Sequence, residues 1–223
     1  MSAAVEKPKI PPVYHVTAAL CRIIFRTYFR WRVYDRERVP LTGPVILAAN
    51  HASYLDPPLV GAPLMRVVNY LARESLFKYP VLGSYLRALH AVPVNREGGG
   101  GAGLKAILDR LRSGDAILLF PEGTRTRDGQ LQSAKSGIGL TVIKSGALVV
   151  PVRVFGTREA WGRSVSFPRP RRVAVKYGSP LDFAALRAEA KICAKDRLKR
   201  IYQEISDEIM AAIARIELVG PGE

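Results

Sequence analysis

A chain of 223 residues that is 48% hydrophobic and 24% charged is long enough for one domain with a sizeable core, and too apolar to be disordered. Its formal charge of +15 favours polyanionic partners: nucleic acid, an anionic membrane surface or phosphorylated substrates. Two cysteines, Cys21 and Cys193, are too few for a disulfide framework or a cysteine zinc site, and suit a reducing compartment.

Residues 1–12 are polar and proline-rich, unlike a signal peptide. No apolar run of about 18 residues occurs, so no ordinary transmembrane helix is predicted. Val13 to Arg38 reads as a helix. Arg22, Arg26 and Arg30 share one face, with Val13, Thr17, Leu20, Ile24, Tyr28 and Trp31 on roughly the opposite one. A basic face against an aromatic and aliphatic one suits a helix lying in a membrane interface; the plainer reading is a helix packed on its own domain.

A Gly-Pro turn then leads into a strand, Val45 to Ala49. Further strands are predicted at 66–72, 91–95, 116–120, 148–156 and 171–178. Helices are predicted at 74–88, 102–112 and 135–146, and a long one from Phe183 to Ile216. In the last, Leu198, Ile201, Ile205, Ile209, Ile213 and Ile216 form an apolar stripe. Alternating strands and helices predict a single layered α/β domain, residues 39–223, with a central, mostly parallel sheet flanked by helices. Residues 1–38 are expected to precede it as an N-terminal amphipathic, membrane-associated helical segment.

Four short stretches carry the chemistry. In "AANHASYLDPP", His51 follows a strand end, where open α/β sheets gather ligands. Asp56 lies within loop reach and can accept the proton of one ring nitrogen, leaving the other as a proton acceptor. No G-x-S-x-G nucleophile elbow is present, which leaves the substrate's own hydroxyl as one candidate to lose its proton. Ser53 and Tyr54 read as residues that shape the loop. In "LLFPEGTRTRDG", a buried strand runs into Glu122, Gly123, Thr124 and Arg125. Glycine permits close backbone approach, and the arginine fork suits phosphate. A tight turn closed by a surface Glu–Arg pair is the plain alternative.

In "HAVPVNREGG", Arg96 follows a strand and precedes a glycine patch at 97–103, with Lys105 at the next helix start, a setting for an anion. The spacing of Gly98 and Gly103 mimics a P-loop, but Leu104 stands where lysine is required and Ala106 where Ser or Thr is, which excludes a nucleotide triphosphatase. "LVVPVRV" is a buried strand whose Pro151 suggests an edge or a bulge.

"NHASYLD", "VPVNR", "FPEGTR" and "VVPV", in that order, resemble the four-block signature of the glycerolipid acyltransferase family, and most closely its bacterial 1-acylglycerol-3-phosphate (lysophosphatidic acid) acyltransferases. The resemblance covers about residues 40–180. It implies that His51 is the general base and Asp56 orients it. It implies direct attack of the acceptor hydroxyl on an acyl thioester, with acyl-CoA or acyl-carrier protein as donor, no bound cofactor and no metal. Arg96, Glu122, Gly123, Thr124, Arg125 and Lys135 match positions implied in substrate binding, and Pro151 matches the fourth block. The implied partners are membrane lipids, both the lysophosphatidic acid acceptor and an anionic surface, with no nucleic acid. The implied place is the cytoplasmic face of the cell membrane, peripheral or monotopic.

Two positions depart from the family pattern: His90 where glycine is usual, and Ala134 where an aromatic residue often precedes the lysine. Both bear on the shape of the acceptor pocket. Acyl transfer to another lysolipid or a lyso-ornithine lipid, and a nucleic-acid- or membrane-binding module without catalysis, stay open from the sequence. Against nucleic acid, the basic residues are dispersed and lack interleaved aromatic platforms.

Overall fold

A computed structural model describes residues 10–94 and 101–218. Its strands are β1 (Arg32–Tyr34), β2 (Val45–Ala49), β3 (Val68–Arg73), β4 (Ala91–Val94), β5 (Ala116–Leu119), β6 (Leu148–Phe155) and β7 (Ala174–Tyr177). Its helices are α1 (Pro12–Thr27), α2 (Asp56–Gly61), α3 (Pro80–Ala88), α4 (Gly101–Arg112), α5 (Gly137–Ser145), α6 (Thr157–Trp161), α7 (Ala184–Ala190) and α8 (Lys195–Ala214). The strands form one seven-stranded sheet in the order β1-β7-β6-β2-β5-β3-β4. Only the β6–β7 pair is antiparallel, as expected of a mostly parallel sheet.

β2 lies at the centre, between β5 and β6. Every residue of it is buried, which is why the sequence there is a continuous apolar run and not an alternating one. Val45, Leu47 and Ala49 face a core completed by Phe25 and Phe29 near α1, and by Leu59 of α2. Ile46 and Ala48 face the other core, completed by Ile107, Ile138, and Ile201, Ile205 and Ile209 of α8. α5 and α8 approach so closely that a methyl group on Gly139 would lie 1.9 Å from the Tyr202 carbonyl oxygen. In its place the Gly139 amide donates to Ser206 Oγ at 3.2 Å.

Three predicted helices are shorter than expected. The first ends at Thr27; Arg30 then takes a left-handed backbone, and residues 32–34 join the sheet parallel to β7. A boundary at residue 38 therefore cuts through the sheet, and Trp31 packs on the core instead of lying on a helical face. The stretch 74–88 breaks before Pro80, whose ring holds Tyr79 in extended backbone, leaving a 3₁₀ turn at Glu74–Lys78 ahead of α3. The long C-terminal helix divides at residues 191–194, and Arg187 of α7 thereby reaches the carbonyls of Val142 and Ala147 at the end of α5.

Pro151 sits inside β6, which has neighbours on both sides. Its carbonyl accepts from Gly178 at 2.7 Å, so its missing N–H also faces the β7 side. There the pairing is interrupted between the Val149–Leu181 bridge and the Val152–Tyr177 pair. Proline is tolerated in a central strand at such an irregularity.

Candidate active site

β2 and β5 run parallel in register, so the loops that follow them lie side by side at the C-terminal edge of the sheet. The loop after β2 folds back into α2, whose first residue is Asp56. Its carboxylate is fully buried, and Oδ2 lies 2.9 Å from His51 Nδ1. The same oxygen accepts the amides of Ala52 at 2.6 Å and Ser53 at 2.7 Å. Three donors on one oxygen hold the charge without a cation. They also fix Nδ1 as the protonated ring nitrogen, leaving Nε2 to accept. Phe120 stacks on the imidazole with centroids 3.8 Å apart and planes at 12°, which sets the plane of the ring.

The loop after β5 clamps the His51 backbone from both sides. The His51 amide donates to Glu122 Oε1 at 3.0 Å, and its carbonyl accepts from the Thr126 amide at 2.8 Å. Glu122 is buried, and burial pushes its carboxyl from the ordinary 4.5 up to about 7. The amides of His51 and Gln132 pull it down, and the Asp56 charge adds a smaller upward push. Ser53 is buried and ties the first loop to α6, donating to the Trp161 carbonyl at 2.7 Å.

His51 lines a cavity of about 760 Å³. At its polar end stand Thr124, Arg125 and Arg163. Arg125 lies over the Tyr54 ring at 3.5 Å, and Arg163 donates to Thr124 Oγ1 at 2.6 Å. The rest of the lining is largely apolar, with Leu71 and Ala72 of β3, Leu86 and Leu89 at α3, and Ala18 and Cys21 of α1, and it includes a third arginine, Arg73, at the end of β3. α1 is thus a wall of the site. Tyr14 and Thr17 complete that wall, with Thr17 Oγ1 3.1 Å from the Tyr85 hydroxyl of α3.

The predicted residues divide into groups. His51, Thr124 and Arg125 meet at the cavity, with Asp56 directly behind His51. Glu122, read as a substrate ligand, turns its carboxyl to the His51 backbone and is not among the cavity's lining residues. Gly123, at φ +70°, forms the turn that a side chain would strain, and the Lys135 side chain folds over it. Pro151 is buried in the sheet, paired with Ala48, one residue before the end of β2. Arg96 lies outside the described residues.

Arg22, read with Arg26 and Arg30 as a headgroup contact, instead donates to Ala62 O at 2.6 Å and to Leu64 O, past the end of α2. His90 sits at φ +60°, a left-handed backbone that glycine adopts freely. Sequence reasoning missed Arg163, the Phe120 stack and the cavity face of α1. Arg163 falls outside all four blocks, and its only sequence cue is the basic run it opens. Among the described residues no cluster of three or more His, Cys, Asp or Glu converges as a metal site.

A family model described as Acyltransferase matches residues 30–155. A 1-acyl-sn-glycerol-3-phosphate acyltransferase of Bacillus subtilis (strain 168) is 29% identical over 117 residues, covering 52% of this chain and 59% of that protein. Another, from Borreliella burgdorferi, is 30% identical over 134 residues, covering 59% of this chain and 53% of that protein. The chain therefore spans little more than half the length of these two curated relatives. The crystal structure of the 1-acyl-sn-glycerophosphate (LPA) acyltransferase PlsC from Thermotoga maritima is similar at a TM-score of 0.69 and 24% identity. It covers 92% of this chain and 81% of that one, and shows the same fold. The span matched by the family model carries β2, β5 and the two loops that bring His51, Asp56 and Arg125 together, and the chain belongs to the acyltransferase family.

Proposed function

We propose that this chain transfers a fatty acyl group from an acyl thioester to the free hydroxyl of 1-acylglycerol-3-phosphate, giving phosphatidic acid. The observation that carries this reading is the cavity itself. One wall holds a histidine with an oriented, proton-accepting Nε2; the guanidiniums of Arg73, Arg125 and Arg163 line the same cavity, and most of the remainder is apolar. That combination suits a molecule with a hydroxyl, a phosphate and an acyl chain. The names of the curated relatives support the same acceptor.

In this mechanism His51 Nε2 takes the hydroxyl proton as the acceptor oxygen bonds to the thioester carbonyl carbon. The tetrahedral intermediate collapses, the C–S bond breaks, and the imidazolium returns its proton to the departing thiolate. Asp56 stabilises the imidazolium while it exists. No acyl-enzyme forms. Arg125 and Arg163 hold the acceptor phosphate. Arg96, outside the described residues, supplies a further cation in this reading. The donor is acyl-CoA or acyl-carrier protein, and no cofactor is retained.

No helix among the described residues is long and apolar enough to cross a membrane. α1 exposes Val16, Leu20, Ile23 and Ile24 along one stripe while its other side walls the cavity. This supports a peripheral or monotopic protein in which α1 lies in the lipid interface, and our reading puts it on the cytoplasmic face, where the acyl-thioester donor is. The test is acyl transfer from both donor types to a panel of lysolipids. Preference for lysophosphatidic acid is expected. Preference for a lysolipid without a phosphate monoester would move the acceptor, and no transfer to any would overturn the reading.

A further inference from the structure

Between α6 and β7 the chain reads "GRSVSFPRPRR", residues 162–172, with four arginines and no acidic residue. The mechanism uses only the first of them, Arg163. The rest of the segment is built into the fold by its backbone. Arg169 N donates to Ala160 O at 2.8 Å, and Val173 N to Phe29 O at 3.2 Å. The Tyr28 hydroxyl donates to Pro168 O at 3.0 Å. So anchored, the segment holds Phe167 outward at 81% exposure. Arg169, Arg171 and Arg172 are exposed beside it, and among the described residues none of them pairs with a carboxylate.

A fixed, outward phenylalanine is costly to leave in water, and three uncompensated guanidiniums repel one another. A partner that is apolar inside and anionic outside relieves both. The Tyr28 bond tells where that partner lies. Val16, Leu20, Ile23, Ile24 and Tyr28 follow one stripe of α1, and Tyr28, at its end, touches the loop. The segment therefore continues that stripe, and at its other end Arg163 lines the cavity.

We propose that the Phe167 loop is a second lipid-docking element, in which Phe167 enters the acyl boundary of an anionic bilayer and Arg169, Arg171 and Arg172 meet its phosphates. The loop and α1 then hold the cavity mouth against the bilayer at two points. A purely electrostatic partner, such as an acidic carrier protein, would use the arginines and leave Phe167 without a role. The proposal rests on the reading of this chain as one that works on membrane lipids, but vesicle binding is measured without turnover, so the two can fail separately.

The test is sedimentation of the full chain with phosphatidylcholine vesicles, with and without phosphatidylglycerol. Phe167→Ser is expected to lower partitioning about tenfold on both, with Phe167→Leu close to wild type. One arginine near an anionic surface strengthens binding about fivefold, so replacing Arg169, Arg171 and Arg172 together by Gln is expected to weaken it on the order of 100-fold. That loss is expected only on the phosphatidylglycerol vesicles. Turnover of a short-chain, water-soluble acceptor with acyl-CoA should stay at the wild-type value in all three variants, which also shows that they fold. Wild-type vesicle binding by Phe167→Ser and by the triple variant would overturn the proposal. So would a rise confined to the KM for an acyl-carrier-protein donor, which would assign the arginines to that protein.

Discussion

His51 and Glu122 stand 71 positions apart, yet the amide of the first donates to the carboxyl of the second at 3.0 Å. The parallel pairing of β2 with β5 makes this bond, because it brings the two strand ends together. Glu122 thereby holds the backbone of the residue proposed as the general base.

Its buried carboxyl titrates near 7 in the fold, against an ordinary 4.5. The folded state thus binds this proton more tightly than the unfolded chain. Its contribution to stability is fully present below about 4.5 and is lost as pH rises through about 7. Glu122→Gln keeps an oxygen for the His51 amide and removes the titration. Urea unfolding at pH 5 and pH 8 should show the variant gaining on wild type at the higher pH, by on the order of 3 kcal/mol. Parallel stability profiles would show that the carboxyl is ionised in both states.

His51→Ala should lower turnover about 100- to 10,000-fold with the fold intact, the usual loss for a general base. Asp56→Asn should also impair turnover severely. Its amide can donate to Nδ1 and so favour the tautomer with the proton on Nε2. Near wild-type rates in a folded His51→Ala protein would remove the base from the mechanism.

Arg125→Ala and Arg163→Ala should each raise the KM for the phosphorylated acceptor, while the donor KM moves much less. A charged hydrogen bond contributes about 1.5–3 kcal/mol, which corresponds to roughly 10- to 100-fold. Arg163 is the more exposed of the two, so its effect should fall near the lower figure. Equal effects on both substrates would mark these arginines as holding the Tyr54 and Thr124 loops in shape.

Gly139→Ala should destabilise the fold by about 1–3 kcal/mol, since a new methyl meets the backbone of α8 and not a movable side chain. Thermal unfolding reads this directly. A melting temperature equal to that of wild type would mean that α5 and α8 separate without cost.

The sheet was legible because its strands are buried on both faces and appear as apolar runs, β2 to the residue. The His51–Asp56 pair was legible because five positions of chain suffice to turn a loop back on itself. Other features needed partners that no local pattern names. β1 forms only because β7, far along the chain, offers an edge to it. Arg22 falls with Arg26 on a helical wheel, yet the carbonyls past α2 claim it. Glu122 carries the right chemistry for a ligand, and only strand pairing turns it toward the His51 backbone. The left-handed backbone at His90 makes sense of glycine as the usual residue there, a preference that the sequence could register but not explain.

α1 exposes one apolar stripe, buries Phe25, and lines the cavity with Tyr14, Ala18 and Cys21. Deleting residues 1–30 would therefore open the site as well as detach it from lipid, and short-chain substrates should not rescue such a truncation. The kinetic consequence concerns what counts as concentration. With α1 in the lipid interface as proposed, a lipid passing along this helix would reach the proposed base from the bilayer without entering bulk water. The proposed reaction should accordingly follow the mole fraction of acceptor in the membrane plane, slowing when inert lipid dilutes it there at constant bulk amount.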